Sequence, residues 1–148
     1  MKVLIDADGC PVIENTIKVC RETNTQCIAI CDTSHILEKY DVKFVTVSKG
    51  ADSTDFALVN MVVKGDIVVT QDYGLAAISM AKGAIPLNQD GMVYTEDNID
   101  ALLQARHHAK KIRSSGGRLK GPKKRDRSLD LVFETKLREI IEENKEVI

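Results

Sequence analysis

Val3-Leu4-Ile5-Asp6-Ala7-Asp8-Gly9-Cys10-Pro11 is the stretch on which the fold turns. An apolar run too short for a helix leads straight into two aspartates one residue apart, then into a glycine and a proline that suit a helix start. Because the run does not alternate with polar residues, it reads as a strand covered on both faces, of the kind found in parallel sheets. Such a strand delivers its carboxylates to its C-terminal end, the edge where open α/β sheets hold their ligands.

Further runs of the same kind occupy residues 27–31, 44–47 and 67–70, all rich in Val and Ile, and a shorter one occupies 84–86. Helical spacing lies between them. Residues 11–22 place Val12, Ile13, Thr16, Ile17 and Cys20 on one stripe, and 34–40 gives a short, weakly periodic segment. Residues 52–63 and 73–82 follow the third and fourth strands, the latter stopping at Gly83. Strand and helix alternate, which predicts one domain over 1–148, a three-layer α/β/α sandwich around a mainly parallel sheet of four or five strands. After a turn at 88–91, a helix is expected over 96–112 with Ile99, Leu102, Leu103 and Ala105 inward. A C-terminal helix at 128–143 would dock through Leu129, Val132, Phe133, Leu137, Ile140 and Ile141.

At 148 residues the chain buries a core without staples, and no apolar run approaches the ~20 residues of a membrane span. The N-terminus carries no basic flank with a long apolar segment, so a cytoplasmic protein is expected, with no membrane partner. Its four cysteines have neither C-x-x-C spacing nor a histidine pair to complete a zinc site, and are read as reduced. Cys10, beside the aspartates, is the one candidate for a reactive thiol. Nothing in the sequence speaks for or against a homo-oligomer.

Net charge is −1, but its distribution is uneven. Residues 106–127 hold ten Lys or Arg against the single acid Asp126, so this segment carries +9 and the remainder −10. Such asymmetry points to an anionic partner. Within it, residues 114–125 run S-S-G-G-R-L-K-G-P-K-K-R, too poor in apolar residues to pack, and the span 113–127 reads as a mobile basic loop. Arg113, Arg118, Lys120, Lys123, Lys124, Arg125 and Arg127 are the candidate nucleic-acid contacts. Three Phe, three Tyr and no Trp leave little for base stacking, so binding would be to the phosphate backbone. His107 and His108 face different directions on a helix and read as surface residues, and the sequence gives His35 no role.

Asp6, Asp8, Asp52, Asp55 and Asp72 all fall at C-terminal strand ends or helix starts. Each has a plain structural use: Asp52 with Asp55 resembles a capping box, and Asp72 suits the N-cap of the next helix. In a doubly wound sheet, however, all these points share one edge. Two carboxylates ~5 Å apart at an effective dielectric of ~20 repel by roughly 3 kcal/mol. If the acids converge, protonation or a cation must relieve that repulsion, and an all-oxygen ligand set suits Mg²⁺ or Mn²⁺. Ions of this kind act on phosphates and activate water for phosphodiester cleavage.

Four blocks carry a resemblance: D-A-D-G-C-P-V at 6–12, G-A-D-S-T-D at 50–55, T-Q-D-Y-G-L-A at 70–76 and S-G-G-R-L-K-G-P-K at 115–123. Together they resemble the YaiI/YqxD family of uncharacterised bacterial proteins, departing from its pattern at Gly9 and Leu119, where alanine and threonine are usual. That family is similar to the PIN-like nuclease superfamily, whose members hold one or two Mg²⁺ or Mn²⁺ ions with clustered acids and cut RNA. The resemblance implies a PIN-like domain and a metal-dependent ribonuclease in which Asp6, Asp8, Asp52, Asp55 and Asp72 are both catalytic residues and metal ligands. Two alternatives stand beside it. One is a non-catalytic RNA-binding module; the other is a haloacid-dehalogenase-like phosphatase with Asp6 as nucleophile, Asp8 as acid and Thr33 or Ser34 on the phosphate.

Overall fold

The computed structural model describes residues 1–32, 40, 42–47, 53–114, 116 and 125–146, with backbone alone for 106–109, 113, 114 and 146. Five strands, β1 (Lys2–Asp6), β2 (Gln26–Cys31), β3 (Lys43–Thr46), β4 (Ile67–Val69) and β5 (Ile85–Leu87), form one sheet in the order β3-β2-β1-β4-β5. Every neighbouring pair is parallel. The helices are α1 (Ile13–Glu22), α2 (Ser53–Met61), α3 (Tyr73–Ala81), α4 (Glu96–Ser114) and α5 (Leu129–Glu146). The expected helix at 34–40 lies outside the described residues.

Side chains alternate along β1, and that alternation sorts the layers. Val3 packs with Val12, Val19 and Cys20 of the α1 region and with Phe133, Leu137, Ile140 and Ile141 of α5. Ile5 joins the same face, against Ile13 and Ile17. Leu4 points the other way, to Leu58 of α2 and Leu75 of α3. Asp6, two residues beyond Leu4, therefore projects toward the α2 and α3 layer. The three-layer α/β/α arrangement follows, with α4 covering α3 through Ile99, Ala76 and Tyr94.

Two expected stripes are narrower than their periodicity suggests. Val132 is 51 % exposed and Leu103 is 39 % exposed, and Ala105 is also at the surface. The buried positions are instead Phe133, Leu137, Ile140 and Ile141 on α5, which pack on the sheet, and Ile99 on α4, which packs on α3. The turn after β5 holds: Asn88 Oδ1 accepts from the backbone N–H groups of Asp90 and Met92. Gly91 there has φ +87°, and a Cβ would lie 3.1 Å from the Val132 carbonyl oxygen, so α5 seats directly on this turn.

Candidate carboxylate site at the sheet edge

The order 3-2-1-4-5 places the topological switch point between β1 and β4, and in open α/β sheets ligands bind outside the carboxyl ends of strands at such a point. Ile5 is paired with Val69, so the next step of the register sets Asp6 opposite Thr70. The Thr70 hydroxyl donates to Asp6 Oδ2 at 2.8 Å and itself accepts from the Asp72 N–H at 3.0 Å. One threonine thus links the two acids. Its carbonyl accepts from the buried Tyr94 hydroxyl at 3.1 Å, which ties the strand end to the α4 layer.

Asp72 is the N-cap of α3, its Oδ1 accepting from the N–H groups of Gly74 and Leu75. Asp55 lies in the first turn of α2. Both helices therefore turn their positive ends toward the edge that carries Asp6. Beyond β1 the chain turns at Gly9, φ +73°, a conformation that favours glycine, and Gln71 Nε2 donates to the Gly9 carbonyl at 2.9 Å. That turn presents Asp8, whose Oδ2 accepts from the Asp32 N–H at 3.0 Å and from the Thr54 hydroxyl at 3.2 Å.

The electrostatics of Asp6 register this crowding. Burial first, and then the charges of Asp55, Asp72 and Asp8, together push its carboxyl up to about 6 against the opposing pull of the Thr70 hydrogen bond. The four acids thus share one field. They do not form a closed cage: among the described residues no three acidic, histidine or cysteine side chains stand in a ready metal-ligating group. Hydrogen bonds to described residues use Oδ2 of Asp6, Oδ2 of Asp8 and Oδ1 of Asp72, leaving one oxygen of each outside that network. An all-oxygen donor set with surplus negative charge fits a hard divalent cation rather than zinc.

The family model described as "Uncharacterized BCR, YaiI/YqxD family" matches residues 4–143, a span that includes all of this edge. The chain belongs to the YaiI/YqxD family. Similar relatives, each named UPF0178 protein, occur in Exiguobacterium sibiricum, 46% identical over 97% of this chain and 98% of the relative, and in Clostridium acetobutylicum, 44% identical over 98% and 99%. A third, from Ruminiclostridium cellulolyticum, is 47% identical over 93% of this chain and 90% of its own length. No solved structure matches.

In this YaiI/YqxD protein, then, Asp6, Asp8, Asp55 and Asp72 come to one sheet edge, while Asp52 lies outside the described residues. Thr33, Ser34 and His35 also lie outside them, as do the side chains of His107, His108 and Arg113 and the whole of Arg118, Lys120, Lys123 and Lys124. Arg127 is exposed. Arg125 is engaged: its guanidinium contacts Asp90 at 3.1 Å, Asp130, and the Gln89 carbonyl at 2.8 Å. That pins the end of the basic run to the β5 turn and the start of α5, on the same sheet edge and within electrostatic reach of Cys10. Burial pushes the Cys10 thiol up to about 11, so it is protonated at neutral pH and a poor nucleophile.

Sequence reasoning passed over Thr70, Thr54, Gln71 and Tyr94. Thr70 carried the clearest signal, a polar residue closing an apolar strand two positions before Asp72. Among the described residues no helix is long and apolar enough to cross a membrane.

Proposed function

We propose that this protein is a divalent-metal-dependent nuclease acting on RNA. What supports it is the crowding of Asp6, Asp8, Asp55 and Asp72 at the switch point of the sheet, with Asp6 raised to about 6 by burial and by the other three. A largely buried carboxylate such as Asp6 in the field of three other acids costs stability, and a cleft that keeps it is suited to a cation and a phosphate rather than to packing.

Asp6, anchored by the Thr70 hydroxyl, supplies the fixed charge at the floor of the site. Asp8, held by Thr54 and the Asp32 N–H, and Asp72, held as a helix cap, supply charge on either side. When bound, Mg²⁺ or Mn²⁺ would supply neutralisation of the phosphate oxygens and activation of the attacking water. The positive ends of α2 and α3 favour a phosphodiester beside the acids. Arg113, Arg118, Lys120, Lys123, Lys124 and Arg127 contact the backbone of the strand, while Arg125 anchors the end of that run beside the site.

Cleavage of a labelled single-stranded RNA with Mn²⁺ tests this. Asp6→Asn abolishes cleavage while its circular dichroism spectrum and RNA affinity remain those of the wild type. Full cleavage by that variant rejects the site. RNA binding by the wild type without turnover, indifferent to a chelator, identifies a binding module instead.

A further inference from the structure

At the opposite end of α1 from the carboxylates, two thiols meet. Cys20, in the last turn of α1, is 2 % exposed, and Cys27, the second residue of β2, is half-buried. The connection between them is tightly folded: the Thr25 N–H donates to the Cys20 carbonyl at 2.8 Å, and Asn24 takes φ 53°. That reversal brings the start of β2 back along α1, so that Cys27 packs against the core cluster that holds Cys20 and the two thiols interact. Both residues line a cavity of about 190 Å³ whose wall also includes Arg21, Thr25 and Lys43. Lys145, whose ammonium reaches the Thr23 carbonyl, adds a third cation nearby. Thiols that react are found in partly exposed, electropositive surroundings, and Cys27 is half-buried with Arg21, Lys43 and Lys145 around the pair.

We propose that Cys20 and Cys27 form a reversible intrachain disulfide when the protein meets a low-molecular-weight disulfide. Cys27 is the attacking thiol because it reaches the surface. Its sulfur displaces one thiol from the oxidant and forms a mixed disulfide, its proton passing to the departing sulfur. Cys20 then attacks the Cys27 sulfur, releases its own proton, and expels the second thiol. The protein loses two electrons and two protons, and the oxidant gains both. The order matches the environment, since the hydrogen bond to Cys27 and burial hold the Cys20 thiol far above its ordinary range and make it the slower, resolving partner. The ring so closed joins the end of α1 to β2 within the β1-α1-β2 unit that carries Asp6 and Asp8.

The full-length protein is incubated with oxidised glutathione, unfolded in urea and blocked with iodoacetamide, then digested with trypsin. The expected product is residues 19–21 disulfide-linked to residues 22–39 through Cys27, in a chain that stays monomeric on a non-reducing gel and reverts with dithiothreitol. By closing a short loop, oxidation raises the folding equilibrium constant on the order of 50-fold, read as a higher urea midpoint. Cys27→Ser, at a half-buried position, remains folded and leaves Cys20 alkylated, with neither the linked peptide nor the midpoint shift. Cys20→Ser traps glutathione on Cys27. Recovery of Cys20 as the alkylated thiol in oxidised wild type, or linkage through Cys10 or Cys31 instead, overturns the proposal.

Discussion

Asp6→Asn makes the folded protein more stable, and the gain depends on pH. The wild-type carboxyl sits at about 6 because it is buried beside three other acids, whereas in the unfolded chain it returns to the ordinary value of 3.8. The folded state therefore binds this proton more tightly than the unfolded state does, so the contribution of Asp6 to stability is fully present at low pH and is lost as pH rises through the window from about 4 to 6. Each pH unit of separation is worth about 1.4 kcal/mol, so the ionised carboxylate costs the fold about 2–3 kcal/mol at pH 8. Asparagine removes the charge and keeps an oxygen to accept the Thr70 hydroxyl, now 2.8 Å away. The variant should thus gain about 2–3 kcal/mol at pH 8, about 1 kcal/mol at pH 4.5 and almost nothing near ~pH 3.5. Urea denaturation of both proteins at those three values measures it, and a melting curve at pH 8 should show a rise of roughly 5–10 °C. Added Mn²⁺ should stabilise the wild type at pH 8 and leave the variant unchanged. A gain of equal size at every pH would refute the reasoning, because it would locate the effect in packing rather than in charge.

Other consequences can be measured alongside. Thr70→Val removes the hydroxyl that holds Asp6 and accepts from the Asp72 N–H, so it should cost about 1–2 kcal/mol and move the acid limb of the pH–activity profile, set near 6 by Asp6, to higher pH. Arg125→Met strips partners from Asp90, Asp130 and the Gln89 carbonyl, and differential scanning calorimetry should report a loss of about 2 kcal/mol together with weaker RNA binding. If five cations of the 106–127 run touch phosphates of one strand, raising salt fourfold should weaken RNA binding roughly a hundredfold, and a flat salt dependence in fluorescence anisotropy would exclude that contact.

The short Val and Ile runs and the helical stripes between them were enough to announce a mainly parallel sheet of four or five strands in alternation with helices, because the period of apolar residues is a local property that each segment carries in itself. The capping role of Asp72 was equally legible, since a cap is decided within four residues. What no segment carries is its neighbour in space. The strand order that sets β1 beside β4, and so Asp6 opposite Thr70 across 64 positions of sequence, depends on how the whole sheet is wound. The same holds for Arg125, read from its surroundings as one more cation for an anionic partner, and found pinned to Asp90 35 residues away. Charge type and spacing belong to the chain. Whether a charge faces a partner, another acid or a sulfur is decided only when distant backbone closes around it, because burial and mutual field, which give Asp6 and Cys20 their chemistry, exist only in the packed molecule.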